Sequence, residues 1–394
     1  MNWVDKMNLK EFLKKIKNSY LNLRFNELEH RLTFEKSYKR MAQAMERFKK
    51  CDNKKPRSQI RKEMKLCKKF WGCYPLHYYR YDLYREDKEL TERELLNYIP
   101  EFFFYRLFLP LYDSEKYAVL LKDKIITEQL FRSLCIPQPH TICKLINNHI
   151  YTNDLVEVSN KHVQGELIEK KYQKVFVKPI DGQGGYGIYI FKRKEKGKYI
   201  TEAGDVFDPE FLCEIGSKND YIIQSGLTQD PEISKVYPHS VNTVRIATEN
   251  KNGNIRLLCS VLRIGKTGAQ IDNISQDGII LKIDIDSGIF GDYATSEQCE
   301  YFEKHPDTNF VFKNHKISNW NRLRKSVVNF ARKLPQFTYL GWDIALTING
   351  FQVIETNLFF GLDLYQIALG GLREIFKIVK PQFYWKNRGK RESC

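Results

Sequence analysis

The sequence predicts a mixed α/β chain that begins with a basic helical segment. Three observations support this: alternating apolar strands recur from about residue 111 onward, a glycine-rich loop lies between two of them, and positive charge is concentrated in the first 80 residues. A length of 394 residues exceeds that of a usual single domain, so we expect two or three domains.

Residues 1–110 are predicted to form a basic helical extension. The first 80 residues contain 22 Lys and Arg against 8 Asp and Glu, a net charge of 22 − 8 = +14 out of +16 for the whole chain. Apolar residues recur there at helical spacing: Leu9, Phe12, Leu13, Ile16 and Tyr20.

Two explanations for this basic charge remain open. The lysines either form a solvated helix face or bind an anion, such as a membrane lipid, a lipid-linked glycan or a polyanionic substrate. In the second case apolar side chains among the lysines are candidate membrane anchors: Trp3, Phe12, Leu13, Phe70 and Trp71.

Composition argues against several classes of protein. No run of about 18 apolar residues predicts a transmembrane helix, and the N-terminal residues lack the apolar region of a secretory signal. The nine cysteines are scattered without a C-x-x-C pair, which is typical of free thiols in a reducing cytoplasm. We therefore expect a cytoplasmic protein whose basic extension could reach the inner face of the membrane. No RNA-recognition motif occurs, so nucleic acid is not an expected partner.

The glycine-rich loop lies in KVFVKPIDGQGGYGIYIF, residues 174–191, with G-x-G-x-x-G at Gly182, Gly184 and Gly187. Apolar strand patterns stand on both sides of it. A dinucleotide-binding fingerprint requires a helix after the glycines, and no P-loop pattern is present. The spacing therefore predicts a β-hairpin whose glycine flap covers phosphates, with Lys178 on the strand before it. The alternative is a hairpin tip that binds no ligand.

Further strand patterns follow the flap. DYIIQSGL (220–227) predicts a strand that leads into a hinge, and NTVRIATENKNGNIRLLCSVLRIG (242–265) predicts a hairpin that turns at Lys251-Asn252-Gly253. In the last hairpin, YLGWDIALTINGFQVIETNLFFG, a three-residue loop over 348–350 with a bulge at Gly350 pairs Thr347 with Phe351.

That register sets Asp343 directly opposite Glu355, with Asn357 on the same face. Two facing carboxylates repel each other unless a cation lies between them, and oxygen ligands of this kind suit Mg²⁺ carried with phosphates. The alternative is two exposed acids on a solvent face.

With these motifs, the chain resembles the ATP-grasp superfamily over roughly residues 115–370. The matching features are a first lysine, a second lysine before a glycine flap, a hinge strand and a terminal hairpin with Asp…Glu-x-Asn. The stretches YPHSVNTVRIAT and QIDNISQDGI are similar to the sugar-transfer-associated branch. The resemblance implies an ATP-grasp fold, in which two α+β subdomains clamp ATP, here residues 111–225 and 226–394.

The resemblance also implies residue roles. Lys124 and Lys178 would contact the α- and β-phosphates of ATP, and Asp343, Glu355 and Asn357 would bind Mg²⁺. Flap residues would cover the β- and γ-phosphates: Gly182, Gln183, Gly184, Gly185, Tyr186 and Gly187. The adenine edge would meet Gln224, Ser225 and Leu227.

One departure from the family pattern concerns the reacting centre. ATP-grasp peptide ligases often carry an arginine two residues before the metal aspartate, where this chain has Gly341. Its role would pass to Arg245 or Arg263, and the neighbouring Asn242 is the third candidate at the reacting centre.

The activity implied is that of an ADP-forming ligase. It would join a sugar-linked or glycan-linked carboxylate, through an acyl phosphate, to an amine in the synthesis of bacterial capsule, O-antigen or related surface glycans. Two alternatives remain open: an ATP-grasp kinase that phosphorylates a glycan hydroxyl, and a non-catalytic nucleotide-binding partner of a glycosyltransferase.

Overall fold

The computed structural model describes residues 35–112, 115–182 and 185–387. The predicted flap residues Gln183 and Gly184, and the apolar residues predicted before residue 35, lie outside these ranges. The chain divides into two compact units, residues 1–111 with 370–394 and residues 112–369. The C-terminal segment thus groups with the N-terminal unit, whereas the sequence assigned it to the last subdomain.

The described part of the first unit is helical. Its helices are Glu35–Lys50, Arg57–Trp71, His77–Arg80, Glu92–Leu95, Glu101–Phe103 and Leu109–Tyr112, with a π-helical turn at Phe104–Phe108, and the C-terminal helix Pro381–Lys386. The prediction of a helical extension is therefore confirmed for the described residues.

Aromatic side chains form the core of this unit. The Trp71 ring packs edge-on against Phe103 at 4.8 Å, and Phe103 in turn contacts Tyr384 at 5.5 Å. Trp71 is 0% exposed, and the half-buried Phe70 lies 5.2 Å from the guanidinium of Arg373. These two predicted membrane anchors are therefore inside the unit, because the helix that carries them turns its apolar face inward.

The second unit contains two antiparallel sheets. The first has six strands: β1 Thr141–Ile146, β2 His149–Tyr151, β3 Lys174–Pro179, β4 Tyr189–Arg193, β5 Tyr199–Ile200 and β6 Tyr221–Ser225. Their spatial order is β2-β1-β6-β3-β4-β5. Helices Asn160–Lys170 and Pro209–Gly216 share the apolar core of this sheet. Other helical segments before it are Glu115–Tyr117, Val119–Lys122 and Lys124–Ser133, and a 3-10 turn, Glu195–Gly197, lies within it.

The second sheet has seven strands: β7 Thr243–Lys251, β8 Asn254–Ile264, β9 Ile279–Ile283, β10 Phe290–Ser296, β11 Tyr301–Phe302, β12 Tyr339–Thr347 and β13 Gly350–Asn357. Their order is β11-β10-β9-β8-β7-β12-β13. One face packs on helix Trp320–Arg332 around Trp342, and helix Leu362–Leu369 contacts β8, β9 and β10. The remaining short helical segments are Pro231–Ser234 and Ile274–Gln276.

The last hairpin corrects one detail of the predicted register. Thr347 pairs with Gly350 across a two-residue turn, not with Phe351, and the pairing shifts later, between Asp343 and Ile344. Asp343 nevertheless lies opposite Glu355. The extra residue is taken up as a bulge in β13 near Ile354 instead of in the turn.

No helix in the described ranges is both long enough and apolar enough to span a bilayer.

Candidate functional site

Lys124 is held at the first turn of helix Lys124–Ser133. Asp123 caps this helix by accepting hydrogen bonds from the backbone N–H groups of Ile125 and Ile126, at 2.8 and 3.0 Å. The same helix is fixed to β1 by a buried ion pair between Glu128 and Lys144, 2.6 Å apart. The Nζ of Lys124 donates to the carbonyl of Gly182 at 2.5 Å. The first predicted lysine therefore touches the glycine flap.

Lys178 lies on β3, between β6 and β4. The predicted strand–flap–strand arrangement is present, since Val177 pairs with Tyr189 across the hairpin. The Nζ of Lys178 donates to Oε1 of Gln224 at 3.0 Å. The pKa of Lys178 is lowered to about 8, first by burial and then by the charge of Lys124, with Glu355 acting in the opposite direction.

The negative charge of Glu355, on β13, raises the pKa of both lysines. Burial lowers the pKa of Lys124, and Glu355 is the largest influence that opposes it. Within the described parts of the chain, the Glu355 carboxylate makes no hydrogen bond or ion pair of its own. The structure thus brings Lys124, Lys178 and Glu355 into one electrostatic cluster, two cations around one half-buried and uncommitted carboxylate.

Asp343, by contrast, is fully committed. It is 1% exposed, and Arg245 on the neighbouring β7 holds it in a fork, with both N···O distances at 2.5 Å. Arg263 on β8 donates to the same carboxylate at 3.1 Å. Burial alone would raise the pKa of Asp343, but the two arginines outweigh it and hold that pKa below its usual value.

Asp272 completes this cluster of two arginines and two aspartates. Its Oδ1 accepts from Nη2 of Arg263 at 2.8 Å, and its other oxygen accepts from the backbone and hydroxyl of Thr243. The buried charges balance one another, two against two, which is how buried ion pairs are tolerated. Asp272 comes from the loop between β8 and β9, and no spacing in the sequence signalled its role.

The predicted metal ligands divide into two classes on this geometry. The oxygens of Asp343 are occupied by arginine N–H groups, whereas Glu355 is open and the side-chain Nδ2 of Asn357 is buried without a hydrogen-bond partner. The uncommitted Glu355 carboxylate is an oxygen ligand of the kind that Mg²⁺ prefers, and Asn357 could join it only through its Oδ1. Among the described residues, no group of three or more His, Cys, Asp or Glu is placed to hold a metal.

Three sets of predicted contact groups have hydrogen-bond partners within the protein. Asn242 is completely buried, and its Nδ2 donates to the carbonyls of Ile233 and Tyr237 at 3.1 and 2.9 Å. It therefore fixes the chain before β7 and is not offered to a substrate. The amide of Gln224 binds Lys178 and Thr141, so it orients the lysine.

The third set is the backbone of the hinge. The N–H of Ser225 donates to the carbonyl of His140 at 2.9 Å, and that of Gly226 donates to Lys174 at 2.8 Å. These donors are used because β6 lies inside its sheet. The N–H of Leu227 is left as the candidate donor to a base edge in this segment.

The described end of the flap lies against the second sheet's loop. A Cβ on Gly185 would stand 3.2 Å from Ile271 and 3.2 Å from Gln276. Gly185 and Gly187 both have positive φ, 75° and 71°, which glycine adopts without strain. Tyr186 between them is 53% exposed.

Gly341 explains the missing arginine of the peptide ligases. A Cβ at this position would overlap the side chain of Phe360, so no arginine fits there. Arg245 enters from the adjacent strand and binds the carboxylate of Asp343. Tyr365, which the sequence did not single out, is also buried beside this cluster, and its hydroxyl has no hydrogen-bond partner among the residues that the structure describes.

Comparison with known proteins gives a family match and distant structural matches. The model of the family described as sugar-transfer associated ATP-grasp matches residues 104–380. A comparison with curated proteins gives no significant match.

Three similar solved structures are bacterial enzymes. D-alanyl-alanine synthetase A from Vibrio cholerae is 10% identical, with a TM-score of 0.37 over 72% of this chain and 64% of that one. A biotin carboxylase from Campylobacter jejuni, in complex with a nucleotide, is 12% identical (TM-score 0.39; 72% and 50%). The biotin carboxylase domain of 2-oxoglutarate carboxylase from Hydrogenobacter thermophilus, in complex with MgADP, is 12% identical (0.38; 72% and 49%). The chain thus spans about half to two thirds of the length of these structures.

Proposed function

Because the chain belongs to the sugar-transfer-associated ATP-grasp family, we propose that it is an ATP- and Mg²⁺-dependent ligase of surface-glycan synthesis. It would join a carboxylate to an amine and form ADP. The observation that carries the proposal is the cluster of Lys124, Lys178 and Glu355 beneath the glycine flap. Two half-desolvated lysines with one carboxylate between them suit an anionic, metal-bound polyphosphate better than they suit an unliganded protein.

The lysines have distinct roles in this proposal. Lys178 faces the phosphates from β3 and is aimed by Gln224, while Lys124 links the flap to the phosphates through the Gly182 carbonyl. Each is a point charge that needs no particular direction of approach. Glu355 and Asn357 would hold Mg²⁺, which when bound neutralises phosphate charge and draws the γ-phosphoryl group toward its acceptor.

The proposed reaction consists of two displacements, first of ADP and then of inorganic phosphate. A carboxylate oxygen attacks the γ-phosphorus, the bond to the β-phosphate oxygen breaks, and ADP leaves. The amine then attacks the acyl carbon, inorganic phosphate leaves with the bonding electrons, and the amine loses a proton. Arg263, anchored by Asp272 and Asp343, is the arginine we assign to the charge that develops on the transferred group. Arg245 keeps Asp343 and Arg263 in place.

The substrates we propose are a sugar-linked or glycan-linked carboxylate and an amine, in capsule, O-antigen or related pathways. The family's association with sugar transfer supports this class. We place the reaction on the cytoplasmic side, at the inner face of the membrane, since ATP is supplied there and surface glycans are commonly assembled on lipid carriers.

Product analysis tests the proposal. The purified protein is incubated with ATP, Mg²⁺, and candidate acidic sugars and amines, and Glu355→Gln serves as the inactive control. ADP, phosphate and an amide support the ligase. ADP with a phosphorylated sugar would instead establish the kinase alternative. ATP that stays intact with every acceptor, while still binding to the protein, would favour a non-catalytic partner.

A further inference from the structure

The helix Arg57–Trp71 carries an unusual face. It contains six basic residues that are all exposed, which we call the basic face: Arg57, Arg61, Lys62, Lys65, Lys68 and Lys69. At 100° per residue these positions fall within one contiguous arc of the helix surface. The opposite arc is buried through Ile60, Cys67 and Trp71. The charge is therefore gathered on one side.

None of these six side chains is neutralised within the described part of the chain. The six make no ion pair or hydrogen bond there. The helix has a single acid, Glu63, and it faces the other way, where it binds the buried Lys55 at 3.1 Å and accepts from Tyr78. The arrangement separates the paired charges from the unpaired ones.

Stability of the helix does not explain the basic face. Its first turn contains no acidic residue, although the N-terminus of a helix favours negative charge. Arg57, Arg61 and Lys65 follow one another at i, i+4, where like charges destabilise a helix. Only Lys68 and Lys69, in the last turn, have favourable positions with respect to the helix dipole. The charge opposes local stability, so it calls for an external anion.

We propose that the basic face docks the protein on an anionic lipid bilayer. The face extends from Arg57 to Lys69 of this helix and so runs for about 18 Å, enough to meet several headgroups at once. A planar anionic surface is complementary to a straight row of cations that are equally exposed. This docking adds a membrane contact to the proposed function. It rests on the proposed function only for the location at the inner face of the membrane.

The docking of this face is electrostatic because helix Arg57–Trp71 itself has no large apolar side chain that is exposed. Phe70 and Trp71 lie on the inward side of the same helix, half-buried and fully buried. Exposed charges act over about 10 Å at 0.1 M salt, so binding held by this face alone is lost as salt rises.

The test is vesicle sedimentation of the full chain, without ATP or acceptor. The vesicles are equal mixtures of phosphatidylglycerol and phosphatidylcholine, with pure phosphatidylcholine alongside. The test variant is Arg61→Glu/Lys65→Glu/Lys69→Glu. The matched control is Lys161→Glu/Lys194→Glu/Lys325→Glu, three exposed lysines of the second unit. Both triple variants change the net charge by −6, from +16 to +10.

We expect the test variant to partition about a hundredfold more weakly, since each basic residue near an anionic surface contributes roughly a factor of five, and the control to retain most of its binding. Equal losses in both variants would mean that net charge, not this face, attracts the protein. Equal binding to neutral vesicles would also overturn the proposal. The proposal would also be overturned if inorganic polyphosphate abolished the binding and added vesicles did not, because the preferred anion would then be soluble. Sedimentation does not measure ligase activity, so the docking result stands whether or not the protein is a ligase.

Discussion

Two sets of positive charge in this protein are treated in opposite ways. In the second unit, Lys124, Lys178, Arg245 and Arg263 are withdrawn from solvent, and each has a defined partner. In the first unit, the six cations of the basic face are exposed and unpaired within the described residues. Burial fixes the direction and the pKa of a cation, which suits recognition of one small anion. Exposed cations keep their side-chain freedom and their charges add together, which suits binding to an extended anionic surface.

The largest expected effect comes from breaking a buried pair. Asp343→Asn leaves Arg245 without its counter-ion, and removing one partner of a buried pair typically costs about 3–5 kcal/mol. Urea unfolding of the full chain measures the loss. Because the pKa of Asp343 is held low, its contribution is present above its unfolded pKa and is lost as pH falls through the folded value. The variant should therefore lose less stability on acidification than the parent.

The control for this variant is Asp292→Asn. Asp292 pairs with Lys313 at 3.6 Å on the surface, with both side chains about 60% exposed, and such pairs contribute little. If both substitutions reduce stability equally, the buried cluster of two arginines and two aspartates does not hold the second sheet together.

The next effect concerns the nucleotide. Lys178→Met is expected to weaken ATP binding at least tenfold, about 1.4 kcal/mol, because it removes a charge-assisted contact from a partly desolvated site. Equilibrium binding of a fluorescent ATP analogue measures it, with Lys161→Met as the exposed control. Unchanged affinity would show that the glycine hairpin is only a turn.

A smaller effect follows from the pKa of Lys178, which is about 8. The charged form is the one that burial penalises, and phosphate binding needs that form. ATP affinity should therefore fall as pH rises through 8, by about fourfold between pH 7 and pH 8.5. Lys178→Met should flatten this dependence. A parent profile that is flat over the same range would place the lysine outside the nucleotide contacts.

The smallest effect sharpens the comparison on the exposed side. Arg57→Glu places a negative charge in the first turn of the helix, four residues before Arg61 and next to it on the helix surface. This should stabilise the helix by about 0.5 kcal/mol. The same change should weaken binding to anionic vesicles. Urea unfolding and sedimentation together check it. A variant that is less stable than the parent would show that Arg57 has a structural role.

Local patterns predicted much of the fold. The hairpins of the second unit were visible because turn residues such as Asn252 and Gly253 interrupt alternating strands, and the flanks of the glycine loop gave strand–flap–strand. The grouping of residues 370–394 with the first unit was not visible. It depends on aromatic contacts between residues far apart in the sequence, such as Phe103 with Tyr384, which no local period encodes.

The site divides in the same manner. Lys124, Lys178 and Glu355 could be identified because each belongs to a motif with fixed spacing. The pairing of Arg245 with Asp343 joins residues 98 positions apart and depends on β12 lying beside β7. The protein partners of Asn242 and Gln224 were not visible either, because a polar side chain that faces a ligand and one that holds the backbone look alike in sequence.

The close packing of Gly341 against Phe360 limits which substitutions can be made separately. A side chain at 341 collides with the Cβ of Phe360, an atom that every residue except glycine carries, while removing the buried ring of Phe360 leaves a cavity that glycine at 341 cannot fill. The residue that is tolerated at position 341 therefore depends on the residue at position 360, and the reverse. An arginine introduced at 341 to imitate the peptide ligases should be tolerated only when position 360 is also glycine, which lacks the clashing Cβ. The measured energy of the double variant should be well below the sum of the single ones.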